Sequence, residues 1–145
     1  MGGFHTRWVV ADEMPVEATD LDDDGRPGAA AVERWIEAAC DAYLTRCPTL
    51  TQVLDRSGGV LRRELGIPQL HDWPDHPATV IVSAGVNEVW ASAFRIAVRI
   101  RGCEAVIDAT CIVSVAPAGG GDPVELGREV VDELIALEHA ARHVN

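Results

Sequence analysis

Apolar residues between positions 32 and 44 recur at the spacing of one face of an α-helix. The charged residues of this segment fall on the opposite side. A broad apolar stripe of this kind is typical of a helix that packs against a large surface, so the sequence predicts one central helix with a buried face. The stripe consists of Val32, Trp35, Ile36, Ala39, Cys40, Tyr43 and Leu44, and the charged side of Glu33, Arg34, Glu37 and Asp41.

Five further segments have the composition of β-strands. Pro15 interrupts the first of them, which suits a strand at the edge of a sheet because proline has no N–H group to donate. The last two alternate apolar and polar residues, which predicts strands with one buried and one polar face. The segments are residues 7–19, 60–65, 79–90, 94–101 and 105–115.

The last two of these strands are predicted to form a hairpin. A two-residue turn at positions 102–103 would pair Arg101 with Glu104 and Arg99 with Val106. This register brings the apolar residues of both strands to the same face of the sheet. One face of the hairpin is therefore expected to be core and the other polar.

Two more helical segments are predicted. Pro48 ends the central helix, and a short helical turn follows over residues 50–56. A second long helix runs to about position 143, and its start is marked by Asp122 as cap, Pro123 at the first helical position and Glu125 closing a capping box.

The order of these elements indicates an α+β fold. One long apolar helix precedes most of an antiparallel sheet, and a C-terminal helix follows it. A length of 145 residues, with 48% hydrophobic and 24% charged residues, suits one globular domain over residues 1–145.

The charge and the cysteines exclude several classes of partner and site. Twelve basic residues, all arginine, and 23 acidic residues give a net charge of −11, which repels nucleic acid and anionic membrane surfaces. No apolar run approaches the ~20 residues that span a bilayer, and the start of the chain lacks a signal peptide, so we expect a cytoplasmic protein without a nucleic-acid or membrane partner. The four cysteines contain no C-x-x-C pair, and we expect no metal site and no disulfide framework.

The acidic segment Asp20–Gly25 admits three interpretations. It suits a solvated turn, because Asp and Gly favour turns for backbone reasons. Its D-x-D-x-D-G pattern also matches the first half of a calcium-binding EF-hand loop, although Ala31 stands where that loop needs a glutamate. Alternatively, a carboxylate just before a buried helix lies beside free backbone N–H groups that can bind a developing oxyanion, which suits acyl transfer.

Residues 20–26 and 35–39, DLDDDGR and WIEAA, carry a resemblance to a known family. They are similar to the D-x-D-x-x-G-H-x-x-N pattern and the following aromatic-rich helix of hotdog-fold acyl-CoA thioesterases of the 4-hydroxybenzoyl-CoA thioesterase type. Residues 86–92 and the later strands follow the rhythm of the same family, so the resemblance covers nearly the whole chain. It implies a hotdog fold, in which an antiparallel β-sheet wraps around a long central helix, and hydrolysis of an acyl-CoA thioester.

The resemblance assigns catalytic roles by position. Asp22, three residues before Gly25, corresponds to the family's catalytic carboxylate, which acts as nucleophile on the thioester carbonyl or as general base for water. The backbone N–H of Ala29 corresponds to the family's oxyanion donor. Coenzyme A then belongs to the acyl-CoA substrate, and no separate cofactor is implied.

The resemblance also implies an assembly and a pocket. In the resembling enzymes two subunits join their sheets, and the acyl pocket lies at the dimer interface, so we expect self-association to a dimer or a tetramer. The residues expected to contact the substrate are, for the acyl group, Val32, Trp35 and Ile36 and, for the phosphates of CoA, Arg26, Arg62 and Arg63.

Departures from the family pattern leave alternatives open. Arg26 stands at the position of the family's histidine and Val32 at that of its tyrosine, so the competing class is a non-catalytic protein that binds acyl-CoA or another small ligand on the same fold. A hotdog dehydratase is a minor alternative. It needs a histidine near the acidic turn, which His71 or His76 could supply in space.

Overall fold

The structure is a computed structural model that describes residues 8–68 and 78–142. Within these residues the chain forms five β-strands, three α-helices and a short 3-10 turn. In chain order they are β1 (Val10–Pro15), the 3-10 turn (Ala18–Asp20), α1 (Ala29–Leu44), α2 (Pro48–Ser57), β2 (Val60–Gly66), β3 (Thr79–Val89), β4 (Ala93–Arg101), β5 (Val106–Ala116) and α3 (Arg128–Arg142).

The strands form one antiparallel sheet in the order β1-β3-β4-β5-β2. Strands β1 and β2 are therefore its edges. Pro15 is the last residue of β1, where its missing N–H group interrupts no pairing between inner strands. The predicted edge position of this strand is confirmed.

Helix α1 packs against the sheet and contacts β1, β3, β4 and β5. Its side chains Val32, Trp35 and Ile36 are fully buried, as the apolar stripe predicts. Every second residue of β4 from Phe94 to Ile100 is buried as well, so the alternation along this strand marks the face that forms the core. The predicted α+β class, a helix against an antiparallel sheet, is confirmed.

The register of the β4–β5 hairpin differs from the predicted one. Arg101 pairs with Val106 and Arg99 with Asp108, so Glu104 lies in the turn instead of opposite Arg101. Two-residue hairpin turns need a positive φ at one or both central residues, and neither Gly102 nor Cys103 has one. The predicted two-residue turn is wrong, but the shift of two positions keeps each side chain on its predicted face.

The C-terminal helix begins later than predicted, at Arg128. The chain before it stays extended, because Val124 forms a β-bridge with Val115 and donates its N–H to that residue's carbonyl at 2.9 Å. This pairing to the sheet also buries Leu126, and tertiary contact thereby overrides the local capping signal. The residues predicted to start the helix lie outside it and do not cap it: Asp122, Pro123 and Glu125.

Helix α2 lies where a short helical turn is predicted, and it is longer than that prediction. It begins at Pro48, a position that suits proline because the first N–H groups of a helix have no intrahelical acceptor. Among residues 8–68 and 78–142, no helix has the length and apolarity that crossing a membrane requires.

Candidate active site

The acidic segment folds into a small hairpin immediately before helix α1. Leu21 and Pro27 form an antiparallel bridge, and the Asp22 N–H donates to the Arg26 carbonyl at 2.7 Å. The turn itself is closed by the Gly25 N–H, which donates to the Asp22 carbonyl at 3.0 Å. Gly25 has a φ of 77°, a conformation that glycine adopts without steric cost. We call residues 21–27 the acidic hairpin.

The Asp22 side chain is exposed and is oriented by the backbone of its own hairpin. Its Oδ1 accepts hydrogen bonds from the N–H groups of Asp24, at 2.9 Å, and Arg26, at 3.0 Å. Both of these bonds reach the same oxygen and so fix the direction of the carboxylate. The other oxygen, Oδ2, is the one that can face water or a ligand.

Helix α1 begins at Ala29, directly after the acidic hairpin. The cap residue is Gly28, which has no side chain that could accept a hydrogen bond from the first turn of the helix. The N–H groups of the first turn, including that of Ala29, have no intrahelical acceptor, and the helix dipole places partial positive charge at this end. An exposed carboxylate and a set of donors to a developing anion therefore occur within a few residues of each other.

The acidic hairpin is tied to the helix through Asp20. The Gly28 N–H donates to the Asp20 carbonyl at 2.9 Å, which closes the base of the hairpin. The Asp20 carboxylate is buried, forms an ion pair with Arg34 on α1, and accepts the Glu17 N–H at 2.8 Å. Sequence reasoning missed Arg34, which lies 14 residues from Asp20 and carries no signal beyond being an arginine on the charged side of the helix.

Comparison with known proteins bears on this arrangement. By sequence, no family model and no curated protein matches the chain. By structure, a thioesterase from Thermus thermophilus, complexed with coenzyme A and Zn, is similar, with 21% identity and a TM-score of 0.63 over 96% of this chain and 98% of that one. The DHNA-CoA thioesterase from Staphylococcus aureus has 15% identity and a TM-score of 0.70 over 92% and 95%. A mutant 4-hydroxybenzoyl CoA thioesterase, complexed with 4-hydroxybenzoyl CoA, has 16% identity and a TM-score of 0.60 over 86% and 97%.

The chain has the hotdog fold. The three structures cover nearly the whole of it, as the resemblance in sequence did. The acidic hairpin and the start of α1 are therefore two adjoining parts of a hotdog fold.

The residues predicted to wall the acyl pocket lie in the core of this hotdog domain. Val32, Trp35 and Ile36 have no exposed surface, so they contact other side chains and no open pocket. The Trp35 Nε1–H is buried without a hydrogen-bond partner among the described residues. Two cavities of the described surface lie away from these residues: one of about 150 Å³ is lined by Asp12, Met14, Ala38, Ala39 and Val82, and one of about 260 Å³ lies between β3 and α3.

The structure does not bring the predicted CoA-binding arginines together. Arg62 and Arg63 are neighbours on β2 and so point to opposite faces of the sheet. Arg62 donates to the Gly121 carbonyl at 2.8 Å, and Arg63 forms an ion pair of 2.5 Å with Asp41 on α1. Burial alone would lower the pKa of Arg63, but the Asp41 carboxylate outweighs this effect and raises it. Arg26 lies half-buried in the acidic hairpin.

Two alternatives from the sequence concern other chemistry. The calcium-loop interpretation is wrong, because the Asp20 carboxylate, its first ligand, turns inward to Arg34 and the Glu17 N–H. In the described part of the chain, no cluster of three or more His, Cys, Asp or Glu side chains could hold a metal ion. The histidines that a hotdog dehydratase would use, His71 and His76, lie outside the described residues.

Proposed function

We propose that this protein hydrolyses an acyl-CoA thioester at the junction of the acidic hairpin and helix α1. One observation carries the proposal: the exposed Asp22 carboxylate is oriented by two backbone N–H groups next to an uncapped helix N-terminus. Similar structures that are named thioesterases, two of them for aromatic acyl-CoA substrates, support the choice of reaction.

The Asp22 carboxylate is the reactive group in this proposal. As a nucleophile, its Oδ2 attacks the thioester carbonyl carbon, the C–S bond breaks, CoA leaves as a thiolate, and water then hydrolyses the mixed anhydride. As a general base, it takes a proton from the water that attacks the same carbon. Both routes consume one water and release a carboxylic acid and the CoA thiol.

The N-terminus of α1 supplies the complementary charge. Attack on the thioester carbonyl develops negative charge on its oxygen, and a backbone N–H fixed in the helix stabilises that charge without reorganising. The Ala29 N–H is the donor that we assign, with the helix dipole acting in the same direction. A backbone donor does not depend on the methyl side chain of this residue.

The substrate site requires a second copy of the chain in this proposal. Val32, Trp35 and Ile36 are covered within one chain, whereas Asp22 is exposed on its surface. A partner's sheet placed against α1 would provide the missing wall and exclude water from the thioester. Arg26, in the acidic hairpin, is the candidate for the CoA phosphates in this proposal, whereas Arg62 and Arg63 would first have to leave the Gly121 carbonyl and Asp41. The net charge of −11 favours a small CoA ester over an acidic carrier protein as acyl donor.

The test is turnover of a panel of aliphatic and aromatic acyl-CoAs by the wild type and by Asp22→Asn. We expect kcat of the variant to fall by about 10² or more, because the amide is neither nucleophile nor base. Acid product should be followed by chromatography, because the exposed Cys103 would react with a thiol reagent used to detect CoA.

Asp23→Asn is the matched control. It removes the same charge from the neighbouring position, which is also exposed, and no hydrogen bond to the Asp23 side chain is seen among the described residues. We expect its kcat to stay within about twofold of wild type, since surface charge alone has a small effect. Equal activity of Asp22→Asn and the wild type would overturn the assignment.

A non-catalytic acyl-CoA-binding protein is the second candidate. It is favoured by the departures from the pattern of the resembling family, which has a histidine where Arg26 stands and a tyrosine where Val32 stands. Acyl-CoA would then raise the melting temperature of the protein without being converted to product. Such stabilisation, without product after prolonged incubation, would replace the hydrolase proposal.

A further inference from the structure

Asp20 is the one charged residue that is buried among residues 8–68 and 78–142. Its side chain has no exposed surface, whereas the Arg34 side chain that pairs with it is 55% exposed. Removing a carboxylate from water is costly unless charged or N–H donors replace the solvent. Arg34 and the Glu17 N–H supply that replacement.

Asp20 is also the point where three segments of the chain are held together. Its carboxylate joins the chain that precedes the 3-10 turn, through the Glu17 N–H, to the second turn of α1, through Arg34. Its carbonyl accepts the Gly28 N–H at 2.9 Å, at the base of the acidic hairpin. Both ends of that hairpin are thus fixed relative to α1 by contacts of one residue.

This position matters for the geometry of the proposed active site. Asp22 lies two residues beyond Asp20 in the hairpin, and the Ala29 N–H lies at the first position of α1. The hairpin and the helix each have their own internal hydrogen bonds, so a hinge motion between them would change the separation of carboxylate and oxyanion donor without unfolding either. The Asp20 contacts oppose that motion.

We propose that Asp20 and Arg34 are positioning residues that clamp the acidic hairpin to helix α1 and so set the distance from the Asp22 carboxylate to the Ala29 N–H. The inference rests on the proposed function for its catalytic consequence. The clamp itself is a property of the fold that can be measured without substrate.

The kinetic test compares Arg34→Ala, Arg34→Lys and the wild type at a temperature where circular dichroism shows all of them folded. We expect kcat of Arg34→Ala to fall by about tenfold to a hundredfold, because its nucleophile or base is displaced. Its KM should stay within about twofold of the wild-type value, because ground-state binding is nearly unchanged. Arg34→Lys keeps the charge and should recover part of the lost kcat. A kcat of Arg34→Ala equal to that of the wild type overturns the proposal.

Tyr43→Phe is the control for a loss of stability alone. It removes a hydrogen bond of 2.7 Å to Glu138 from the other end of the same helix, away from the acidic hairpin. We expect it to lower the melting temperature and to leave kcat within about twofold of wild type. If Tyr43→Phe and Arg34→Ala lower kcat equally, the effect of Arg34 is structural and the positioning role is refuted.

Amide hydrogen exchange separates the clamp from the chemistry. In Arg34→Ala we expect the amides of residues 22–26 and of Gly28 to exchange about tenfold faster or more, with the amides of β4 and β5 unchanged, because local opening does not require global unfolding. Unchanged exchange in residues 22–26 and Gly28 refutes the clamp. If the wild type shows no turnover, the proposed function and the catalytic role of the clamp are both refuted. Hydrogen exchange in Arg34→Ala then still tests whether Asp20 and Arg34 hold the acidic hairpin on α1.

Discussion

Three carboxylates among the described residues accept hydrogen bonds from groups that the fold would otherwise leave unsatisfied. Asp20 accepts from Arg34 and a backbone N–H, and Asp22 accepts from two backbone N–H groups of its hairpin. Glu138 accepts the hydroxyl of Tyr43 at 2.7 Å and the N–H of Val86 at 2.8 Å. Of these three acids, Asp22 is the one oriented beside a helix N-terminus while exposed, which is why it is the candidate for chemistry.

The Tyr43 hydroxyl gives a prediction at this scale. Burial, with the hydrogen bond to Glu138, raises the pKa of Tyr43 well above its usual value of 10.0. The unfolded chain therefore loses this proton above about pH 10 while the folded chain keeps it, and the free energy of unfolding falls by about 1.4 kcal/mol per pH unit in that range. At neutral pH the hydrogen bond stabilises the folded state.

We expect Tyr43→Phe to lower the free energy of unfolding by about 1 kcal/mol at pH 7, since the hydrogen bond that the buried Tyr43 donates to Glu138 is lost. Phenylalanine does not titrate, so the difference between variant and wild type should shrink above about pH 10 and vanish near pH 11. Urea unfolding of both proteins at pH 7, 9, 10 and 11 measures the difference in their free energy of unfolding. A difference that stays constant through pH 11 would contradict the assigned pKa direction.

At the scale of elements, helix α2 begins without a capping residue of its own. Its cap position is Cys47, whose side chain makes no capping hydrogen bond. The carboxylate of Glu133, on α3, accepts the N–H groups of Thr49 at 2.8 Å and Leu50 at 3.1 Å instead. A side chain from a distant helix thereby satisfies the first-turn donors and joins α2 to α3.

Glu133→Gln tests this tertiary cap. The amide keeps the shape of the side chain but loses its charge and presents one donor to an N–H group, so we expect a loss of about 1 kcal/mol in the free energy of unfolding. Glu129→Gln, one turn earlier on α3, is the control: its exposed partner Arg56 lies at 3.4 Å, and we expect a change of less than about 0.5 kcal/mol. Equal effects in denaturant unfolding would argue against the cap.

At the scale of the whole molecule, the two edges of the sheet differ. Edge strand β1 ends in Pro15, which has no N–H group to donate to a strand of another chain. Edge strand β2 contains no proline, and its side chains are mostly exposed, Val60 to 46%. We infer that β2 is the edge through which two copies would join their sheets.

Self-association is therefore predicted to be a condition for activity. Sedimentation at micromolar concentration should give a species of about twice the chain mass of 15.6 kDa or a larger even multiple. If the partner completes the acyl site, turnover per chain should fall on dilution in step with dissociation. A fully active species of 15.6 kDa would refute the shared site, although not the assignment of Asp22.

The elements were predictable to the extent that local pattern and tertiary environment agree. The apolar stripe of α1 and the alternation of β4 identified their buried faces, because periodicity along an element reflects which of its faces is buried. The start of α3 was not predictable from the capping signal at Asp122, because Val124 pairs with Val115 of β5 and keeps this part of the chain extended. The predicted hairpin register was wrong because its turn residues do not take the positive φ that a two-residue turn needs, although the predicted faces of both strands were correct.

Local sequence patterns were enough to define the buried faces, the α+β class and the position of the acidic hairpin before a buried helix. These features depend on residues within one or two turns of each other. Long-range contacts, by contrast, determine the ion pair between the buried Asp20 and Arg34. They also give Arg62 and Arg63 separate partners. Glu133 of α3 caps helix α2 through a contact of the same kind. Such contacts join residues that are far apart in the chain, and periodicity, which describes only neighbours along one element, does not encode them.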